Sequence, residues 1–208
     1  MIPYGTFTFF LVAFIVLLPV IILGFLGKRS YVYNGISTVI MIVIIFSSDT
    51  YNLFGQKYLS VQLISFVIYL IWQVLLIMWY YKSRQKNNTF IKFLIVMILS
   101  ILPLALVKIL QSSWLGGHQI HFHEHKLIEF VGFLGISYVT FKSVQLIMEI
   151  RDGSIKEIKV GKLIQFISFF PTVSSGPIDR YKRFVKDDKK IPTGEQYRGM
   201  VVKAIHMI

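Results

Sequence analysis

Apolar residues along this chain fall into blocks rather than into short periodic stripes. The blocks run from Phe7 to Leu26, Val32 to Phe46, Leu59 to Tyr81, Phe90 to Leu110 and Leu127 to Ile150. About 20 apolar residues suffice to cross ~30 Å of hydrocarbon as a helix rising ~1.5 Å per residue. The pattern therefore predicts five spans, at 7–26, 32–46, 59–81, 90–110 and 127–150. The first is too long for a signal-peptide core, and no basic residue precedes it, so it reads as an uncleaved span.

Polar residues between the blocks set the orientation. Lys28 and Arg29 separate the first two blocks. Lys82, Arg84, Lys86 and Lys92 separate the third from the fourth with no acid among them, whereas Asp49 and Lys57 balance the loop before the third. Short loops rich in Lys and Arg stay in the cytoplasm, which places the N-terminus outside. Trp72, Trp79, Tyr80 and Tyr81 read as an aromatic belt at one membrane face. Pro103 lies inside the fourth block, so a backbone carbonyl is freed there and a neighbour must satisfy it. The fifth block carries Lys142 and Gln145, which should face protein or water.

Leu163 to Val173 is apolar but too short to span, and basic residues flank it on both sides. Both flanks are then cytoplasmic, and 163–175 is expected to be re-entrant or to lie at the interface. Gln196 to Ile208 opens another apolar helix and stops within it, the pattern of a chain cut from a longer one. The expected fold is all-α: one polytopic membrane domain over 1–208, with a truncated helix at 196–208.

Composition agrees with the pattern. Hydrophobic residues make up 55% of the chain and charged residues 15%, and the mean hydropathy is +0.65. The net charge of +12 would suggest nucleic acid in a soluble domain. Here the basic residues sit in short loops beside apolar blocks, which points to topology and anionic lipid instead. There are no cysteines, so no disulfide, thiolate metal site or cysteine nucleophile exists.

Three features bear on chemistry. Phe169 to Phe184 contains the helix-breaking run Ser174, Ser175, Gly176 and Pro177, followed by Asp179 and Arg180. It reads either as a turn with a basic interfacial run or as the wall of a substrate channel, in which Arg180 holds an anion with two prongs. Gly135 to Lys142 is rich in small and hydroxylated residues, among them Ser137 and Thr140, which suit close helix packing or a polar cavity lining. His118, His121, His123 and His125 lie beside Glu124 in the loop after the fourth block. A solvated loop is the simpler reading, a zinc site the sharper one. His206 stands alone in an apolar run without a visible orienting partner, and Lys108 has the placement of a snorkelling lysine.

Gly135-Ile136-Ser137-Tyr138-Val139-Thr140-Phe141, then Phe169-Phe170-Pro171 and Gly176-Pro177-Ile178 ahead of Arg180-Tyr181 and Phe184, resembles the membrane-bound O-acyltransferase (MBOAT) family. Met148-Glu149-Ile150-Arg151-Asp152-Gly153, together with Pro171 to Arg180, is similar to the branch that D-alanylates teichoic acid in Gram-positive bacteria. The resemblance covers the whole hydropathy plan and is sharpest over 133–184. It implies an acyltransferase of the cell membrane in cell-wall biogenesis. The donor is D-alanine on the phosphopantetheine arm of a D-alanyl carrier protein, the acceptor a hydroxyl of lipoteichoic acid, and no bound cofactor or metal is implied. It makes Ser174, Ser175, Gly176, Pro177, Asp179, Arg180, Ser137 and Thr140 channel candidates. The family's catalytic histidine lies in a Trp-His motif with no match here, so it is expected beyond Ile208, and this chain alone is expected to be inactive. The competing reading is a non-enzymatic transporter or lipid-binding scaffold. A transporter would need a second, inverted re-entrant segment, and none is visible in 1–126.

Overall fold

The computed structural model describes residues 7–28, 30–46, 61–87, 89–111, 135–173 and 179–206. Among them there are helices and turns and no strand. The helices are α1 (Phe7–Phe25), α2 (Tyr31–Phe46), α3 (Val61–Lys86), α4 (Phe90–Gln111), α5 (Ile136–Arg151), α6 (Val160–Ile167), α7 (Tyr181–Asp188) and α8 (Gly194–His206), with a single 3₁₀ turn at Phe170–Thr172. α1, α3 and α4 are long and apolar enough to cross a membrane, and α2 is a shorter apolar helix. The protein is thus an all-α membrane protein. α3 continues five residues past Tyr81, through its basic end, to Lys86, and of the fifth block the described part is α5, from Ile136 to Arg151. Residues 112–134, with the four loop histidines and Lys126, lie outside the described residues.

Two compact units emerge, 1–50 with 185–208, and 51–184. In the first, α1 ends in a Schellman turn. Lys28 N–H donates to the Leu23 carbonyl at 2.9 Å and Gly27 N–H to the Gly24 carbonyl at 3.0 Å. Gly27 has φ 63°, a conformation that a residue with a Cβ adopts only with strain. Ser30 caps α2, its Oγ accepting Tyr33 N–H at 3.2 Å. α8 opens with a capping box, in which Gln196 N–H reaches Thr193 Oγ1 at 3.4 Å and Thr193 N–H reaches Gln196 Oε1 at 3.2 Å. The start of α8 lies directly on the end of α1. A Cβ on Gly24 would sit 2.5 Å from the Tyr197 ring, and one on Gly194 would strike the Phe25 carbonyl oxygen.

In the second unit, α5 packs against α3 and α4. Its buried residues, Ile136, Val139, Thr140, Ser143, Leu146, Ile147 and Ile150, follow the three- and four-residue spacing of one helix face. The carbonyl released by Pro103 is that of Leu99, and the Trp72 indole N–H donates to it at 3.3 Å. Trp72 therefore has a packing role as well as an exposed face. Tyr80 does not join the aromatic belt: it is buried, with its ring centroid 6.3 Å from that of Phe93. The basic residues at the end of α3 also do more than set topology. Arg84 Nε donates to the Arg151 carbonyl at 3.1 Å, where the last α5 carbonyls lack helical partners. The Arg151 guanidinium lies 4.3 Å from the Phe93 ring centroid.

Candidate functional site

The site grows from the two polar faces of α5. On one face Thr140 Oγ1 donates to the Ile136 carbonyl of its own helix at 2.7 Å, and so accepts from the Tyr69 hydroxyl, also at 2.7 Å. Gln73 Nε2 donates to Tyr69 Oη at 2.7 Å and to the Ser100 carbonyl at 3.0 Å. Ser100 Oγ donates back to Gln73 Oε1 at 2.8 Å. Gln73, Ser100 and Thr140 are fully buried. Hydroxyls and an amide inside a helical bundle are tolerated because each finds a partner. This network ties α3, α4 and α5 together, and it absorbs Thr140.

On the other face Lys142 is 2% exposed. An unpaired buried ammonium would be very unfavourable, but this one has its donors occupied. Nζ reaches Thr172 Oγ1 at 2.6 Å, the Phe166 carbonyl at 3.3 Å and the Ile167 carbonyl at 3.5 Å. α6 ends at Ile167, so these carbonyls belong to a helix C-terminus, where backbone acceptors are orphaned and a cation is favoured. Lys142 therefore pins both the end of α6 and the 3₁₀ turn that follows it.

Beside Lys142 lies a cavity of about 270 Å³. Its walls are Phe166, Phe169 and Phe184, and its polar groups are Lys142, Thr172, Asp179 and Arg183. The rings meet edge to face, with centroids 5.4 Å apart for Phe166 and Phe184 and 5.8 Å for Phe169 and Phe184. Asp179 Oδ1 accepts Arg180 N–H at 2.8 Å and pairs with Arg183 Nε at 3.2 Å. Tyr181 is buried against Phe166, and burial raises its phenol above the ordinary value despite a hydrogen bond from the Lys159 backbone. Close by, the Glu149 carboxylate accepts Lys182 N–H in the field of Arg180 and Lys182. Its Oε2 is buried with no partner among the described residues.

Of the residues singled out from sequence, Asp179 lines the cavity, Arg180 is exposed at its edge, and Ser137 is half-buried on α5. Ser174, Ser175, Gly176 and Pro177 lie outside the described residues. The segment expected at 163–175 divides into α6, which starts three residues earlier at Val160, and the 3₁₀ turn, and neither is long enough to span. His206 is the one histidine among the described residues. It is exposed on α8, in the other unit. Sequence reasoning placed Lys142 facing protein or water and at the end of a possible cavity lining without giving it a partner, and it missed Glu149, though a lysine and a glutamate in one apolar helix are the signal that marks both.

A buried ammonium, an ion pair and an aromatic wall beside a broken apolar segment define a helical membrane protein with an internal polar cavity. The chain is a relative of the teichoic acid D-alanyltransferases. It is 48% identical to the teichoic acid D-alanyltransferase of Bacillus subtilis (strain 168), over 100% of this chain and 49% of that protein. It is 42% identical to that of Lacticaseibacillus rhamnosus, over 99% of this chain and 47% of that protein. It is 32% identical to that of Streptococcus thermophilus (strain ATCC BAA-250 / LMG 18311), over 99% of this chain and 45% of that protein. The chain spans about half the length of these curated relatives. No family model matches it.

Proposed function

We propose that this chain forms part of an MBOAT-type O-acyltransferase that moves D-alanine from a phosphopantetheine thioester on a D-alanyl carrier protein to hydroxyls of lipoteichoic acid in the cell membrane. The observation that carries this reading is similarity along the entire chain to proteins named teichoic acid D-alanyltransferase. In the transfer, the acceptor oxygen forms an ester bond to the D-alanyl carbonyl carbon. The C–S bond breaks, and the carrier leaves as a thiol that takes up the acceptor's proton.

The cavity around Lys142 suits a wall of the channel that such a transfer requires. Aromatic rings exclude water, while Asp179 and Arg183 offer polar contacts to an incoming arm. Lys142 is a positioning residue: its ammonium is already engaged with α6 and Thr172, so it shapes the cavity rather than reacting. Ser174, Ser175, Gly176, Pro177, Asp179 and Arg180 continue the channel, with Ser137 behind them. The general base is a histidine that this chain does not supply. The N-terminus lies outside, and the turn at Lys28 and the basic end of α3 at Lys82 lie inside, with 163–175 re-entrant.

The test is the alkali-labile D-alanine content of lipoteichoic acid from cells that lack the gene and cells that carry it at full length. Deletion is expected to abolish the ester and the full-length gene to restore it. Unchanged D-alanine after deletion overturns the reading. Orientation is read separately. The chain has no cysteine, so a single cysteine at Lys28 or Lys82 is expected to resist an impermeant maleimide in intact cells.

A further inference from the structure

The junction of α1, α2 and α8 encloses a second cavity, of about 180 Å³, within the smaller unit. It arises from the local structure already described. The Schellman turn at Gly27 and the Ser30 cap bring α2 back beside α1 within a few residues, and glycines at 24 and 194 let α8 approach the α1 backbone. The Tyr197 ring, held edge to face on Phe25 at 5.2 Å, forms one wall. Leu23 and Ile191 extend the apolar lining, while Lys28, Lys190 and Asn34 supply the polar side. Among the described residues, no carboxylate lines the cavity.

Its location limits what can occupy it. α1 is a membrane-length helix, and the cavity sits against its last turns, at the basic end where the chain leaves the apolar block. Two lysines above an apolar cleft at a membrane boundary complement a negatively charged headgroup whose acyl chains remain in the bilayer. Lys190 is already paired with Asp187 at 3.6 Å, but both side chains are more than half exposed, so the pair is weak and a phosphate can compete for the ammonium. The amino end of α2, capped by Ser30, adds a favourable field for an anion.

We propose that this cavity binds the phosphate headgroup of an anionic phospholipid, with Lys28 and Lys190 contacting the phosphate and Asn34 the glycerol hydroxyls. A volume of about 180 Å³ takes a headgroup and not a whole lipid, so the acyl chains remain outside the cavity, in the bilayer. The proposal does not depend on D-alanyl transfer.

The test uses the full-length protein purified in detergent and titrated with phosphatidylglycerol, with retention read by native mass spectrometry. Phosphatidylcholine and inorganic phosphate serve as the comparison probes. Retention of phosphatidylglycerol over phosphatidylcholine is expected, with an affinity loss of roughly tenfold in the Lys28→Gln/Lys190→Gln double variant. Leu23→Trp keeps both charges and fills the cleft, so it is expected to abolish retention as well. It also provides the reading if the double variant does not fold. Equal retention of the two lipids, or unchanged retention in the folded variants, overturns the proposal. So does displacement of phosphatidylglycerol by millimolar inorganic phosphate alone, which would make the cavity a site for free phosphate.

Discussion

The two units bury different things. In the smaller one, α1 is almost bare: 6% of its membrane-length window is buried, and α8 meets it through glycine contacts and one tyrosine ring. In the larger one, 39% of the α3 window is buried, and what it buries includes Tyr69, Gln73 and, from its neighbours, Ser100 and Thr140. The contrast separates two ways of joining helices where lipid is as apolar as leucine. One is close backbone approach at small residues, the other hydrogen bonding between polar side chains. Only the second creates an interior able to hold a charge such as Lys142.

Four substitutions break or sharpen that contrast, in order of falling effect. Lys142→Met keeps the aliphatic stem but leaves Thr172 and two buried carbonyls without their donor. A loss of about 1–3 kcal/mol is expected, seen as a lower melting midpoint in detergent together with reduced D-alanylation. If the midpoint holds, the ammonium does not pin α6.

Gly194→Ala tests the smaller unit, because its Cβ meets the backbone of Phe25 rather than a movable side chain. Overpacking of this kind costs about 1–3 kcal/mol. Gly24→Ala meets only the Tyr197 ring, so combining it with Tyr197→Leu is expected to restore stability, whereas no side-chain change rescues Gly194→Ala. Rescue of both equally would show that the joint is less tight than the geometry states.

Tyr69→Phe removes the hydroxyl linking Gln73 to Thr140. The expected loss is about 1 kcal/mol, and a cycle with Thr140→Val should show the two losses to be non-additive. Additivity would mean that the network is not shared. The smallest effect belongs to Trp72→Phe, at about 0.5 kcal/mol. It should vanish in a Pro103→Ala background, where residue 103 regains an N–H for the Leu99 carbonyl. Thermal unfolding of the four proteins measures this directly.

The same residues show what was legible beforehand. Pro103 announces that a carbonyl needs a partner, because the missing N–H is a property of proline itself. That Trp72 is the partner follows only from α3 lying beside α4. Tyr80 and Trp79 are adjacent aromatics with nothing in sequence to separate them, yet the helix turns one inward and the other outward. Thr140 stands out in sequence as a hydroxylated residue suited either to close packing or to a cavity lining. Its setting is Tyr69, a partner 71 residues away in sequence.

By itself the sequence determined the all-α class and the apolar blocks from which the membrane-length helices α1, α3 and α4 form. Each depends on local chemistry: the length of an apolar run, the charges at its ends, and the residues that cannot continue a helix. Tertiary structure alone decided that Lys142 closes the end of α6, that Asp179 and Arg183 share its cavity, and that two glycines seat α8 on α1. Those outcomes depend on which helix faces meet, and the free energy that selects them resides in contacts between residues distant along the chain.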